Sequence, residues 1–227
     1  MRIEDCSWMD VEKYLEEEDR LIFVLGACEQ HGYLSLLSDV KIPLALADAA
    51  SQQTGVLVAP AVNYGVSPYF LDYPGSFSLR TTTLLDLVED LVRSAVHQGF
   101  HRLLFLNGHG GNDAARARLY ELANAMPQLQ LAWYAWWQAH SVETVAAKHG
   151  LRSFHAAWIE AFPFTRLGEL PEGEKLQPRI PGLVNSKLAR QLYQDGVFGG
   201  PYQVDEAIMS EVFSAALEDV LHILKFE

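Results

Sequence analysis

Four short runs of apolar residues constrain the fold of this chain more than any other feature. They cover residues 21–25, 56–60, 103–107 and 129–133, and each is almost unbroken by polar residues. Strands covered on both faces have this pattern, whereas strands with one solvated face alternate between apolar and polar residues. The runs therefore predict the strands of a mainly parallel sheet that is buried on both sides.

The segments between and after these runs have the residue spacing of helices. Helical patterns cover residues 42–54, 83–98, 113–125 and 205–225. The first two patterns stop at Gly55 and Gly99, which are typical residues for a helix end. Strands that alternate with helices predict a three-layer α/β/α sandwich. We expect one domain, residues 1–227, whose ligands bind at the carboxyl ends of the strands.

Charge and cysteine content limit the classes of function. The net charge is −12 and Lys and Arg are not clustered, which argues against nucleic acid as a partner. Two cysteines, Cys6 and Cys28, do not make a disulfide framework and indicate a reducing compartment. No run reaches the roughly 18 apolar residues of a membrane span, and the N-terminus has no apolar signal core. We therefore expect a cytoplasmic protein with no membrane partner.

Ionisable side chains follow the first apolar run. The stretch GACEQHGYLSLLSDV, residues 26–40, contains Glu29, His31 and Asp39. In extended backbone, residues i and i+2 face the same side, so Glu29 and His31 can reach one point, to which Asp39 returns after a turn. Carboxylates with an imidazole suit zinc, manganese or a related divalent ion. A solvated turn that carries these charges without a ligand is the alternative.

A glycine-rich turn follows the third run. In LLFLNGHGGND, residues 103–113, His109 is flanked by glycines that let the backbone approach a bound group closely. Asn112 or Asp113 is expected to cap the next helix. A turn of this kind can also cradle a phosphate, but neither G-x-G-x-x-G nor the Walker lysine is present. We favour a ligand role for His109, with a phosphate-binding module as the alternative.

A third group of candidates lies in FHAAWIEAF, residues 154–162. His155 and Glu160 are the polar residues of this apolar run, and buried ionisable groups are costly unless they are paired or coordinated. On a helix they would lie about 140° apart, so we expect different roles or an irregular backbone. Alternatively, His155 is a hydrogen-bonded core residue and Glu160 pairs with Arg166.

These blocks together resemble the creatininase family, the creatinine amidohydrolases and their relatives. The likeness rests on GACEQHG with the following Asp39, on YGVSPYFLDYPGSFSL (64–79), on NGHGGN (107–112) and, more weakly, on HAAWIE (155–160). The resemblance implies an α/β/α sandwich, a homo-oligomer that is commonly a hexamer, and two divalent ions per chain, zinc or manganese. Iron also accepts this ligand set.

The resemblance also implies roles for individual residues. Glu29 and His109 would bind one ion, His31 would bind the other, and Asp39 would bridge both. Glu160 would complete the shell of the second ion.

The chain departs from the family pattern around the expected substrate pocket. Residues 33–36 read Tyr-Leu-Ser-Leu, where the family usually has Pro-His-Leu-Pro, and the stretch is one residue shorter. Phe70 stands where family members often have a histidine, and Trp158 replaces an acidic residue. The metal ligands thus match the family while the pocket differs, so creatinine is not assigned as the substrate.

Substrate contacts are expected from residues close to these blocks. We assign them to Trp158, Tyr69 and Gly110. Four tryptophans near the proposed site either stack a planar ligand or pack in the core: Trp133, Trp136, Trp137 and Trp158.

The expected reaction is hydrolysis of a carbon–nitrogen amide bond in a small molecule, a cyclic amide or a formamide. Two divalent ions about 3.5–4 Å apart lower the pKa of a shared water, and the resulting hydroxide attacks the amide carbonyl. His155 is expected to hand a proton to the departing nitrogen. Cys28 as a nucleophile, with His31 or His109 as its base, is one alternative. Another is a catalytically silent relative that acts in binding or assembly.

The segment 162–183 contains four prolines and three glycines, which predicts little regular structure. It is interpreted as a lid, an oligomer contact or a surface excursion without function.

Overall fold

The computed structural model describes residues 1–180 and 182–227. Its main sheet has four parallel strands in the order β2, β1, β3, β4. These are β1 (Arg20–Leu25), β2 (Leu57–Val58), β3 (Arg102–Asn107) and β4 (Gln130–Ala135). Each predicted run contributes one strand, and β2 is the shortest of them.

The helices of the described residues include all four that the sequence predicts. They are α1 (Trp8–Leu15), α2 (Ser38–Thr54), α3 (Thr81–Gln98), α4 (Asp113–Ala125), α5 (His140–Lys148), α6 (Ser186–Tyr193) and α7 (Glu206–Ile223). The predicted bounds of α4 match. The residues that follow α2 and α3, Gly55 and Gly99, adopt the left-handed backbone conformation typical of a helix end. Helices α1, α5 and α6 were not predicted.

The two faces of the sheet carry separate hydrophobic cores. Ile22 and Val24 of β1 face one side and pack with residues of α2, α5 and α7. Leu21 and Phe23 face the other side and pack with residues of α3 and α4. Because successive side chains of a strand point to opposite faces, one unbroken apolar run supplies both cores. The predicted three-layer α/β/α sandwich with a parallel sheet is confirmed.

The segment 162–183 has little regular structure, as predicted. Within it, β5 (Glu174–Lys175) pairs antiparallel with β6 (Gly200–Pro201). One of its prolines, Pro181, lies outside the described residues. Its role as a lid or an oligomer contact stays a prediction.

Two further observations concern membrane-spanning helices and the cysteines. Within the described residues, no helix has the length and apolar character to cross a membrane. Cys6 and Cys28 both carry free thiols.

Candidate metal site

The carboxyl ends of β1 and β3 bring two of the predicted segments together. Leu25 is paired with Asn107 in the sheet, and the Gly108 amide donates to the Leu25 carbonyl oxygen at 2.8 Å. The first turn of α2 lies against this point. A Cβ atom on Gly108 would lie only 1.9 Å from the Asp39 carbonyl oxygen, so glycine is what allows the close approach.

Asp39 lies in the first turn of α2, not in a loop as the sequence suggested. The helix begins at Ser38, and its N-cap, Leu37, makes no side-chain capping bond. The usual sequence signal for a helix start is therefore missing. An acidic residue in the first turn is favoured by the helix dipole.

One group of potential ligands consists of Glu29, Asp39 and His109. The Nδ1 atom of His109 lies 3.0 Å from Asp39 Oδ2 and 3.3 Å from Glu29 Oε1. All three side chains are buried, and they offer ligand atoms that lie within 4.8 Å of one another. Asp39 follows Glu29 by ten positions in the chain and His109 follows it by eighty. The structure thus gathers residues that are distant in sequence into one possible coordination sphere.

A second group consists of His31, Asp39 and Glu160, and it shares Asp39 with the first. His31 Nε2 lies 2.9 Å from Asp39 Oδ1 and 3.8 Å from Glu160 Oε1. These ligand atoms also lie within 4.8 Å of one another. The two carboxylate oxygens of Asp39 therefore face different imidazoles, one in each group.

A third group of potential ligands consists of His155, Glu29 and His31, whose ligand atoms also lie within 4.8 Å of one another. Its Nδ1 atom is 3.9 Å from Glu29 Oε1. The residues that the sequence singled out as ligands and as proton shuttle thus lie around one point in the fold.

The imidazoles and carboxylates of the two groups shift one another's pKa. Burial alone would lower the pKa of His31, but Asp39 and Glu160 outweigh it and raise this pKa to about 10. The pKa of His109 is raised in the same way, against burial, by Glu29 and Asp39. Burial raises the pKa of Glu160. A proton on an imidazole and a divalent cation both bring positive charge to these buried carboxylates, so protons and the cation compete for this site.

The donor set fits a divalent cation. Glu29 Oε2 and Asp39 Oδ2 are buried and accept no hydrogen bond of normal geometry from the described residues. Asp39 Oδ2 lies 3.0 Å from His109 Nδ1, but this contact lacks the geometry of a hydrogen bond. Buried carboxylate oxygens without donors are costly, and a cation would satisfy them. Carboxylate and imidazole ligands suit zinc, manganese and iron.

Hydrogen bonds to the backbone orient His31 and His109. The Nε2–H of His109 donates to the Val66 carbonyl oxygen at 3.0 Å, which turns Nδ1 towards Glu29 and Asp39. The Nδ1–H of His31 donates to the Glu29 carbonyl oxygen at 3.1 Å, which turns Nε2 towards Asp39. Partners of this kind fix the ring orientation of metal-binding histidines.

The backbone around His155 is irregular. Ala156 has a φ of +58°, and residues Trp158–Glu160 form a single 3-10 turn. The Ala156 amide donates to Glu160 Oε2, so His155 and Glu160 are brought together by a turn, not by a helix. Arg166 is not the partner of Glu160, because its guanidinium binds Glu206 and the Ala161 carbonyl oxygen.

Gln30 is a site residue that sequence reasoning missed, although it lies inside the Glu-Gln-His-Gly block. Its side-chain amide donates to the Gly196 carbonyl oxygen at 3.0 Å and accepts from the Gly32 amide at 3.0 Å. His155 Nε2 lies 3.0 Å from the Gln30 carbonyl oxygen and 2.9 Å from its side-chain nitrogen. Gln30 thus holds the Nε2 edge of His155, which leaves the Nδ1 edge towards Glu29.

A cavity of about 390 Å³ opens onto these ligands. Tyr69 and Gly110, two of the expected substrate contacts, line it, and so does Trp137. Trp158 does not, which corrects the expectation for this residue. Its indole is fully buried in the core and donates to the Arg152 carbonyl oxygen at 2.9 Å. Within the 3-10 turn, Trp158 thus points into the core, whereas Ile159 and Glu160 line the cavity.

The structure does not favour Cys28 as a nucleophile. Its thiol lies 3.4 Å from the Gly75 carbonyl oxygen and is absent from the lining of the cavity. Burial and the neighbouring Glu29 raise the pKa of this thiol. A reactive cysteine needs the opposite shift, because the thiolate is the nucleophile.

The fold and the site together define a class of α/β/α proteins with a carboxylate–imidazole ligand set at the carboxyl edge of a parallel sheet. The family model described as creatinine amidohydrolase matches residues 4–224. The chain therefore belongs to the creatininase family.

Two curated relatives match parts of this chain. A creatinine amidohydrolase from Pseudomonas putida is 30% identical over 116 residues, which are 48% of this chain and 45% of that protein. A mycofactocin precursor peptide peptidase from Mycolicibacterium smegmatis is 39% identical over 100 residues, 41% of this chain and 40% of that protein. The chain spans less than half the length of each of these relatives.

Solved structures confirm the fold along nearly the whole chain. A creatinine amidohydrolase (creatininase) superposes with a TM-score of 0.83 at 18% identity, covering 98% of this chain and 96% of the other. A manganese creatininase superposes with a TM-score of 0.82 at 20% identity, covering 99% and 97%. At these identities the likeness concerns the fold.

Proposed function

We propose that this chain is a metal-dependent hydrolase of a carbon–nitrogen amide bond in a small molecule, a cyclic amide or a formamide. One observation carries the proposal: two groups of buried ligands share Asp39 and face an open cavity. The relatives support it, since one is a creatinine amidohydrolase and another a peptide peptidase.

The ligand groups suggest which residues hold the ions. Glu29, Asp39 and His109 would hold one, and His31, Asp39 and Glu160 would hold the other. Zinc or manganese is expected, and iron also fits the donors. When bound, such ions polarise a carbonyl oxygen and lower the pKa of a water molecule.

The other site residues act on the substrate and on its protons. His155 lines the cavity with its Nε2 edge held by Gln30, so its Nδ1 atom is placed to pass a proton to the departing nitrogen. Tyr69 and Gly110 would contact the substrate from the cavity wall.

Assembly and location follow from more general arguments. The family resemblance suggests a homo-oligomer, commonly a hexamer. Free thiols on both cysteines favour a reducing compartment, so the cytoplasm is the proposed location.

A catalytically silent binding or assembly subunit is the alternative, and one observation favours it. Phe70 stacks on the His155 ring with a centroid distance of 4.7 Å and an interplanar angle of 14°. This apolar cover restricts access to the proposed proton shuttle from one face.

Metal analysis followed by an amide screen tests the proposal. Purified protein should contain about two divalent ions per chain, and His109→Ala should lose metal. The control is His97→Ala, which changes an exposed histidine of α3. The loaded protein is then assayed on cyclic amides, formamides and small peptides. A wild-type protein without metal would refute the hydrolase, and full metal without turnover on any amide would favour the silent subunit.

A further inference from the structure

The walls of the cavity are aromatic, in contrast to its charged floor. The aromatic side chains of the lining are Tyr69, Phe70, Trp137, Phe154 and Phe198. Val66 and Ile159 add apolar area between them. A substrate that reaches the ligand groups would therefore place part of its remaining surface against aromatic rings.

Outside the ligand groups and His155, the lining offers no charged side chain to pair with a substrate group. Its carboxylates and imidazoles all belong to the ligand groups or to His155, and no Lys or Arg lines the cavity within the described part of the chain. Arg152 packs over the Phe154 ring, 5.4 Å from its centroid, without joining the lining. A substrate carboxylate placed against the aromatic wall, away from the ligand groups, would thus lose its hydration without gaining a cationic partner.

The aromatic wall is held in place by its own contacts. Phe198 stacks on Tyr193 with centroids 3.9 Å apart and an interplanar angle of 9°, and Tyr69 contacts Phe70 edge-on at 5.4 Å. The Phe198 amide donates to the His155 carbonyl oxygen at 3.1 Å. Rings held in this way form a surface that exists before the ligand arrives, so binding orders little further.

The segment that carries Phe198 is also anchored from outside the cavity. Lys175 forms an ion pair with Asp195, and the Tyr202 hydroxyl donates to Asp195 Oδ2 at 3.0 Å. The Gln30 amide binds the Gly196 carbonyl oxygen in the same segment. The wall and the histidine are therefore fixed relative to each other.

We propose that the cavity selects uncharged amides that carry an aromatic ring next to the amide group, over small polar amides and over ring-bearing amides with a carboxylate. This inference rests on the proposed hydrolase function and names the substrate class of the same site. A volume of about 390 Å³ lies within the usual range of ligand pockets and accepts a six-membered ring with its amide.

Hydroxamates separate this inference from the proposed function, because they chelate a metal through the same group whatever side chain they carry. We suggest titration calorimetry of zinc-loaded protein with acetohydroxamate, benzohydroxamate and 4-carboxybenzohydroxamate. Burial of the ring should make benzohydroxamate bind at least about tenfold more tightly than acetohydroxamate. The added carboxylate should cancel most of this advantage.

A pair of variants ties the preference to the wall. Phe198→Leu keeps an apolar side chain but removes the ring, and should reduce the advantage of benzohydroxamate over acetohydroxamate. Phe77→Leu changes an exposed ring that does not line the cavity and should leave it unchanged. Metal content and melting temperature verify that both variants remain folded and loaded.

The outcomes are distinguishable. Equal affinity for acetohydroxamate and benzohydroxamate would overturn the substrate class while leaving the metal site intact. Tight binding of 4-carboxybenzohydroxamate would overturn the charge argument. A protein that takes up no zinc and binds no hydroxamate would overturn the proposed function and this inference together.

Discussion

Gly108 and Gly110 lie in the same turn, yet they should respond in opposite ways to the same substitution. A Cβ atom on Gly108 would lie 1.9 Å from the Asp39 carbonyl oxygen and 2.8 Å from Pro43 Cγ. The first distance is about 1.5 Å shorter than the 3.4 Å at which ordinary van der Waals contact begins. On Gly110 the nearest atom, in Trp137, would be 3.9 Å away. Gly108→Ala must therefore displace the first turn of α2, whereas Gly110→Ala fits.

Because Asp39 is the proposed ligand that both groups share, the displacement should affect stability and metal binding together. Overpacking typically costs about 1–3 kcal/mol and sometimes more. We expect about 3 kcal/mol for Gly108→Ala, since backbone atoms and not a flexible side chain are in the way. In a chain of this length, that loss lowers the melting temperature by about 6–12 °C.

Differential scanning calorimetry and metal analysis of both variants test this prediction. Gly108→Ala should melt earlier and retain less metal, and Gly110→Ala should match the wild type in both measurements. If Gly108→Ala keeps the melting temperature and the metal content of the wild type, α2 does not hold Asp39 in the way described.

Three further predictions follow from the same contacts. Chelation by EDTA should lower the melting temperature of the wild type by about 5–10 °C and leave that of His109→Ala unchanged; equal shifts in both proteins would argue against this site. Gln30→Leu leaves the Gly196 carbonyl oxygen without its donor, so it should cost about 1–3 kcal/mol in urea unfolding and lower kcat more than it changes KM; a variant with wild-type kcat would show that Gln30 does not position the histidine. Tyr134→Phe removes the hydroxyl that donates to Asp219 at 2.9 Å, and should cost about 1 kcal/mol in the same assay without loss of metal.

The sheet and four of its helices are predictable because their signals are local. An unbroken apolar run indicates a strand covered on both sides. The structure has a strand in all four runs, and β1, β2 and β3 are buried as expected, whereas β4 lies at the edge of the sheet and is mostly half-buried. Helix α1 also has a local signal, because Ser7 and Asp10 form a capping box. The start of α2 has none, because Leu37 provides no side-chain cap, so the sequence pattern begins this helix only after Asp39.

The finer arrangement of the site depends on contacts that sequence spacing does not encode. Ala156 adopts a positive φ although it is not glycine. The turn that joins His155 to Glu160 therefore has no sequence signal. As residue types, Trp137 and Trp158 are equally good candidates for a pocket wall. The sequence does not show that Trp158, in the 3-10 turn, points into the core. The role of Gln30 depends on Gly196, which is distant in the chain.

The central claim is that Asp39 is shared by two metal ions. Anomalous diffraction from crystals grown with manganese or zinc tests it most directly, because it locates ions independently of any substrate. We predict two peaks at ligand distance from the Asp39 carboxylate, one also bound by His109 and the other by His31. A single peak that does not contact Asp39, or no peak among these residues, would contradict the claim.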